Sequence, residues 1–282
     1  MRVPAPGLFA LCVVRTVALA PVEPVHAAQT AQGITVEELA DYQGQASLRI
    51  TTPAATYVYH KQGAGFASLL DPDGKDWISY RPKGGSDGQY RGIPNLIHPE
   101  GGFHPGSTNC TTRFVEAKPD KVVLASESKD GRWACTWEIR PDRATMSLTR
   151  VGHPYWILYE GTPGGAYKEA EAFMVDSSGR CEPCTARWER RLPEPRWIYF
   201  GTKASPYVVF LIDRTTRPAE VRDSFWSMQK NMTVFGFGRI LDAGSPRWKH
   251  LAETQARLTI GLLKAADPKE IAERFNALSR DE

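Results

Sequence analysis

The sequence has no marked excess of either charge. Its 35 lysines and arginines nearly cancel its 32 aspartates and glutamates, leaving a formal +3 over 282 residues. With no long basic run, nucleic acid is excluded as a natural partner. Long apolar runs are also lacking: the stretch 8–14 falls short of the about 18–20 residues that span a bilayer. No nucleophile elbow, phosphate loop, dinucleotide fingerprint or HExxH occurs, so the chemistries those motifs mark are not indicated and no cofactor is expected. Helical periodicity is scarce, and no internal repeat or low-complexity linker divides the chain. Cysteine is sparse, at five residues.

What the N-terminus does contain reads as a leader. Arg2 precedes the apolar residues 8–14, a second apolar stretch covers 16–20, and Val25-His26-Ala27 presents small residues where a signal peptidase reads them. The expectation is a signal peptide at 1–27 and one domain at 28–282, exported to the periplasm or beyond and free of the membrane after cleavage. Arg15 interrupts the leader, and bulky Leu11 before Cys12 argues against a lipoprotein. Four cysteines then remain, and an even number in an exported chain reads first as disulfides. Cys110 could pair with Cys135 across neighbouring strands, and Cys181 with Cys184 across a tight loop. A zinc site from all four has weaker support, because only one CxxC is present. No metal is therefore expected.

Past the leader the chain reads as strand, turn, strand. Residues 46–51 alternate, and 56–60 are aromatic and β-branched. Asp71-Pro72-Asp73-Gly74 is strong turn chemistry before an expected strand at 77–80. Further strands are expected at 121–126, 133–140, 145–151, 156–160, 187–191, 197–200, 207–212, 232–237 and 256–263. Residues 218–228 could form one short helix. The tail 268–278 is a clearer one, with Asp267 as N-cap, Pro268 in the first turn and Ile271, Phe275 and Leu278 on one face. Many close-spaced strands with helices only late predict an all-β, large antiparallel β-sandwich carrying a short C-terminal helix.

Polar chemistry concentrates in the glycine- and proline-rich stretch 83–109, too long for an idle loop. It gathers Tyr90, Arg91, Asn95, His98, Glu100 and His104, residue types that bind hydroxyls and carboxylates or move protons. His104 lies between Gly101-Gly102 and Pro105-Gly106, where backbone can approach a ligand closely. A second cluster spans 153–165, where an apolar strand ends in Glu160 before a Gly-Pro loop. Alternation puts Trp156 and Leu158 on one side of that strand, and Tyr155, Ile157 and Tyr159 on the other. The segment 231–239 alternates glycine with phenylalanine and ends in Arg239, as either a strand passing under a ligand or a packing strand with a terminal bulge would. Eight tryptophans and ten tyrosines suit stacking on sugar rings, though a sandwich core uses the same residues.

The stretch Gly63-Ala-Gly-Phe-Ala-Ser-Leu-Leu-Asp-Pro-Asp-Gly-Lys-Asp-Trp-Ile78 resembles the galactose-mutarotase-like superfamily. There, a glycine-bearing strand, an Asp-rich turn and a Trp-containing strand follow an early strand pair. The resemblance implies a β-supersandwich with a sugar site on one concave face. Mutarotases of this group use histidine and glutamate as acid and base with an arginine on substrate, which makes Arg91, His98, His104 and Glu160 the analogous candidates. Polysaccharide lyases on related folds use Tyr, His and Arg, the set supplied by Tyr90, Arg91, Asn95, His98 and His104. The leading expectation is therefore a secreted carbohydrate-active enzyme that performs β-elimination at a uronate. Catalysis is assigned to Tyr90, His98, His104 and Glu160, and substrate contacts to Arg91, Asn95, Tyr155, Trp156 and Arg239. The alternatives are an aldose mutarotase or epimerase, and a non-catalytic carbohydrate-binding sandwich. In all three the partner is a sugar or polysaccharide, and oligomeric state is left open.

Overall fold

Between Lys121 and Arg150 alternate residues are buried: Val122, Leu124, Cys135, Trp137, Ile139, Ala144, Met146 and Leu148 all lie at or below 2% exposure. A period of two sends these side chains to one face of a sheet and leaves the polar set between them on the other. The computed structural model describes residues 33–82, 91–96, 103–241, 251, 256–265 and 267–280. The leader-like segment 1–27, Tyr90 and His98 lie outside them.

In chain order the strands are β1 (Thr35–Tyr42), β2 (Gln45–Thr51), β3 (Thr56–His60), β4 (Gly65–Leu70), β5 (Gly92–Asn95), β6 (Cys110–Lys118), β7 (Lys121–Ser128), β8 (Ala134–Arg140) and β9 (Arg143–Arg150). There follow β10 (Ile157–Gly161), β11 (Ala172–Asp176), β12 (Cys181–Pro183), β13 (Trp188–Arg190), β14 (Arg196–Thr202), β15 (Tyr207–Asp213), β16 (Asp223–Met228), β17 (Met232–Phe237) and β18 (Arg257–Lys264), with helix α1 (Pro268–Leu278) last. They build two nine-stranded antiparallel sheets, ordered β1-β2-β3-β4-β5-β10-β17-β16-β13 and β12-β11-β14-β15-β18-β9-β8-β7-β6. The expected all-β sandwich with one C-terminal helix is therefore what forms.

The inner faces meet in an aromatic layer. Phe66 of the first sheet packs edge-on against Trp137 of the second with ring centroids 4.5 Å apart, and Tyr59 Oη bonds Ser126 Oγ at 2.9 Å. Helix α1 covers part of the second sheet's outer face, burying Ile271, Phe275 and Leu278 against a cluster that includes Trp197, Phe210 and Ile212. Its start is built as the sequence predicts: the Asp267 carboxylate accepts from the Lys269 amide at 2.8 Å, satisfying a donor that the helix cannot. No helix among the described residues is long and apolar enough to cross a membrane.

Four expectations are corrected. Residues 218–228 are not helical, because the segment ladders into the first sheet as β16, with Phe225 opposite both Phe235 and Trp188. Residues 77–80 form no strand, although Asp76 bridges Leu70. The 83–109 stretch is not all loop: Gly92–Asn95 enters the sheet between β4 and β10.

The cysteines are not paired: Cys110, Cys135, Cys181 and Cys184 are free thiols. Cys110 pairs with Ser128 and Cys135 with Ser126, so β7 lies between them. Strands two apart are separated by about 9–10 Å, beyond the about 7 Å that a disulfide can bridge. Cys181 is exposed while Cys184 is fully buried in the core. Strand β12 ends at Pro183, and Cys184 opens a turn closed by the Ala186 amide on the Pro183 carbonyl at 3.0 Å. Alkylation of the denatured, unreduced protein should thus label all four; a mass spectrum two labels short at either pair would restore that bridge.

Candidate functional site

Strand β10 sits in the middle of the first sheet, and its alternation divides core from site. Tyr155, Ile157 and Tyr159 belong to the main core, while Trp156 and Leu158 join a separate cluster with Met232 and Val234 on the outer face. Glu160 follows the second set and is 3% exposed. Supports reach it from both neighbouring strands and from the turn beneath. The Asp71 carboxylate ties its own turn through the amides of Asp73 and Lys75 and accepts from the Trp77 indole at 2.9 Å. Gly74 takes the left-handed position of that turn at φ +79°. The Trp77 carbonyl then receives Tyr159 Oη at 2.7 Å and the Thr162 amide at 2.9 Å, clamping the residues either side of Glu160. The Gly63–Ile78 segment thus supports the site from below.

Asn95 comes from β5 through a register shift. Leu158 faces Asn95 and Glu160 faces Gly92, so three residues of β5 span two of β10. An extra residue in one strand returns the side chain to the same face. Asn95 is therefore beside Glu160, and its amide donates to Oε2 at 2.8 Å. Removing a carboxyl from water without a full salt bridge disfavours its charge, so burial pushes Glu160 up to about 8 against the opposing pull of Asn95 and Arg239.

Arg239 enters from beyond β17. Its guanidinium lies 3.9 Å from the Trp226 ring centroid and 5.2 Å from that of Trp156. It is 4% exposed, and burial lowers its proton affinity to about 10 although Glu160 supports the charge. Neither Nε nor Nη1 of Arg239, nor Oδ1 of Asn95, has a hydrogen-bond partner among the described residues. Buried donors and acceptors of this kind are costly and point to a polar ligand. The arginine is aimed by a second ion cluster, in which both terminal guanidinium nitrogens of Arg217 are paired. Arg217 forks onto Asp223 at 2.6 and 2.7 Å, and Asp223 accepts from the Gly238 amide at 3.2 Å, one residue before Arg239. Trp226 also lines a cavity of about 350 Å³ with Glu169, Arg187, Met228, Gln229 and Leu241.

Of the residues expected from sequence, Glu160, Asn95, Trp156 and Arg239 converge. Tyr155 does not join them, since it faces the core with its ring 5.9 Å from Trp133. Arg91 is spent on backbone, donating to the carbonyls of Ser79 at 3.2 Å and Asn231 at 3.0 Å. His104 is 8% exposed, with its ring 6.4 Å from that of Tyr80. Glycine serves there to seat a turn: a Cβ on Gly63, Gly65 or Gly92 would meet the backbone of His104 or Pro105, or the Pro105 ring, at 3.0 Å or less. The Gly106 amide donates to His60 Nδ1 at 3.0 Å, and burial lowers His60 to about 4. Trp226 and Asp223 were missed, because they fall in the segment read as helical. Among the described residues no three His, Cys, Asp or Glu gather as a metal site.

No protein-family model matches the sequence, and no curated protein matches it. Solved structures do share its fold. A candidate aldose 1-epimerase from Klebsiella pneumoniae aligns at TM-score 0.55 and 13% identity, covering 88% of each chain. A candidate mutarotase, YeaD, from Salmonella typhimurium aligns at 0.52 and 10%, covering 84% of this chain and 96% of that one. The fold is galactose-mutarotase-like.

The Glu160 environment carries a pH signature. A carboxyl raised in the native state holds its proton more tightly there than in the unfolded chain. Its contribution to stability is therefore greatest below the unfolded value of about 4.3 and declines as pH climbs toward the folded one. Glu160→Gln removes that decline. The melting temperature of the variant minus that of the wild type should rise between about pH 5 and 8 and level off above, an effect on the order of 2–4 kcal/mol. A difference that stays flat with pH would show that the carboxyl is not perturbed.

Proposed function

We propose that this protein binds an aldose on the outer face of its first sheet and interconverts the sugar's anomers. One observation carries the reading: a buried carboxyl poised near neutrality, beside an arginine with unpaired donors between two indoles. Mutarotation needs one proton moved between two oxygens of the same sugar, the anomeric hydroxyl and the ring oxygen. As the carboxylate, Glu160 takes the proton from the anomeric hydroxyl; C1=O1 forms and the C1–O5 bond breaks. Arg239 donates hydrogen bonds to the developing O5 alkoxide, which then receives the proton back from Glu160. Rotation about C1–C2 and the reverse sequence give the other anomer. Because Oε2 already accepts from Asn95, Oε1 is the oxygen that carries the proton. Trp226, which lines the cavity, supplies the apolar surface that a sugar's C–H face stacks on, while the buried Trp156 ring backs Arg239.

The names of the two similar structures, both for enzymes acting on sugar anomers or epimers, support this reading over β-elimination at a uronate. So does Arg91, whose bonds to two carbonyls divert it from the uronate-binding role the lyase reading needs. Export remains part of the proposal: the leader-like segment 1–27 would put the site outside the cytoplasm.

The test is the relaxation of freshly dissolved α-D-glucose and α-D-galactose, followed by polarimetry or proton NMR. The wild type should accelerate it, and Glu160→Gln should lower the rate enhancement about 100-fold or more, with Val115→Thr on the exposed side of β6 near wild type. Binding of sugar without any acceleration would reduce the protein to a non-catalytic binder. Unsaturated products from uronate polysaccharides, read by their ultraviolet absorbance, would revive the lyase reading.

A further inference from the structure

The outer face of the second sheet, on the far side of the core from Glu160, carries a groove that the sugar site does not use. Where helix α1 stops covering the sheet, the outward residues of β8, β9 and β18 line a cavity of about 370 Å³, with Leu278 of the helix at its edge. The volume lies within the range of small-ligand sites. Four arginines line it, each from a different element: Arg140 at the end of β8, Arg143 at the start of β9, Arg214 just after β15, and Arg257 at the start of β18. Among the described residues Glu138 is the one carboxylate in the lining, and Thr136, Thr145 and Ser147 are its hydroxyls.

The sheet register makes this convergence obligatory. Arg140 is opposite Arg143, Thr136 opposite Ser147, and Ser147 opposite Arg257, so the guanidiniums and hydroxyls stand on one face in adjacent rows. Like charges in neighbouring rows repel, and such pairs are destabilising unless something offsets them. Part of the offset is visible. Arg140 Nε binds Glu138 at 2.6 Å, and Arg143 shares Asp142 with Arg274 of the helix at 3.0 and 3.2 Å. Arg214 Nη2 reaches Thr259 Oγ1 at 3.4 Å, and Thr259 Oγ1 bonds Thr145 Oγ1 at 2.9 Å, which steadies the hydroxyl floor. Arg257 has its Nε buried with no hydrogen-bond partner among the described residues. Among the described residues the lining therefore holds four arginines against one carboxylate.

We propose that this groove is a second ligand site, which takes a tetrahedral oxyanion: a sulfate or phosphate ester on a small hydroxylated molecule. Guanidinium forks match oxyanions bidentately, and four forks from four elements suit an anion with three free oxygens better than a planar carboxylate with two. The threonine and serine hydroxyls suit the ligand's own hydroxyl groups. Among the described residues no aromatic side chain lines the groove, so none of them offers a face to a stacked base.

Calorimetric titration of the full chain with inorganic sulfate, inorganic phosphate and glucuronate tests the assignment. Sulfate or phosphate should bind in the millimolar range and more tightly than glucuronate, the stronger of the two naming the ester. Arg257→Gln should weaken the bound anion about tenfold or more. Glu138→Gln, which frees Arg140, should tighten it, a gain that misfolding cannot produce. Glu160→Gln should leave it unchanged, which separates this groove from the sugar site. Absence of anion binding, preference for glucuronate, or indifference to both Arg257→Gln and Glu138→Gln would overturn the proposal.

Discussion

Both faces available for chemistry depend on the aromatic layer sealed between the sheets. Phe66, Trp137, Tyr59 and Tyr159 occupy the inner positions of strands from both sheets, and each is fully buried. Burying such side chains is the largest favourable contribution that a strand pair of this kind makes, and an inward tryptophan truncated to alanine typically costs about 3–5 kcal/mol. With the inner positions committed to that layer, the residues between them have no choice of side. Glu160 must lie outside because Tyr159 lies inside, and Glu138 and Thr136 must lie outside because Trp137 lies inside. A slip of one residue would exchange the two sets, so the core locks the register of both polar faces.

The two buried ion groups near β16 and β17 are treated differently by the fold. Arg217 and Asp223 satisfy one another through two short bonds, and Asp223 takes two backbone amides besides. Burial raises the proton affinity of Asp223, and the two bonds from Arg217 oppose that rise. Glu160 and Arg239, a strand away, are as deeply buried but share only Asn95 and the faces of two indoles. Their proton affinities are displaced toward the neutral forms in consequence. A paired cluster holding an underpaired one in position is how a fold keeps a group ready for proton transfer without letting it collapse into a salt bridge.

Much of the architecture was legible in local chemistry. The two-residue alternation of 121–150, the Asp71-Pro72-Asp73-Gly74 turn and the Asp267-Pro268 helix start each follow from interactions within a few residues. The facing of Trp156, Leu158 and Tyr159 was readable for the same reason. The misreadings share the opposite cause. Residues 218–228 became a strand because Phe235 and Trp188 flank Phe225 from distant parts of the chain, and a short segment with one proline carries no record of those partners. The cysteines looked adjacent until β7 stood between their strands.

The sequence by itself therefore determined the strands of 121–150 and their faces, the facing of 156–159, the terminal helix and the presence of Glu160 at a strand end. Only the tertiary structure decided which strands became neighbours. That choice put Asn95 of β5 and Arg239 beyond β17 around one carboxyl, tied Arg91 to two backbone carbonyls, set His104 beside Tyr80, and set four arginines around one groove. The reason is physical: alternation encodes which side of a sheet a residue takes, whereas the order of strands comes from packing among residues tens to hundreds of positions apart.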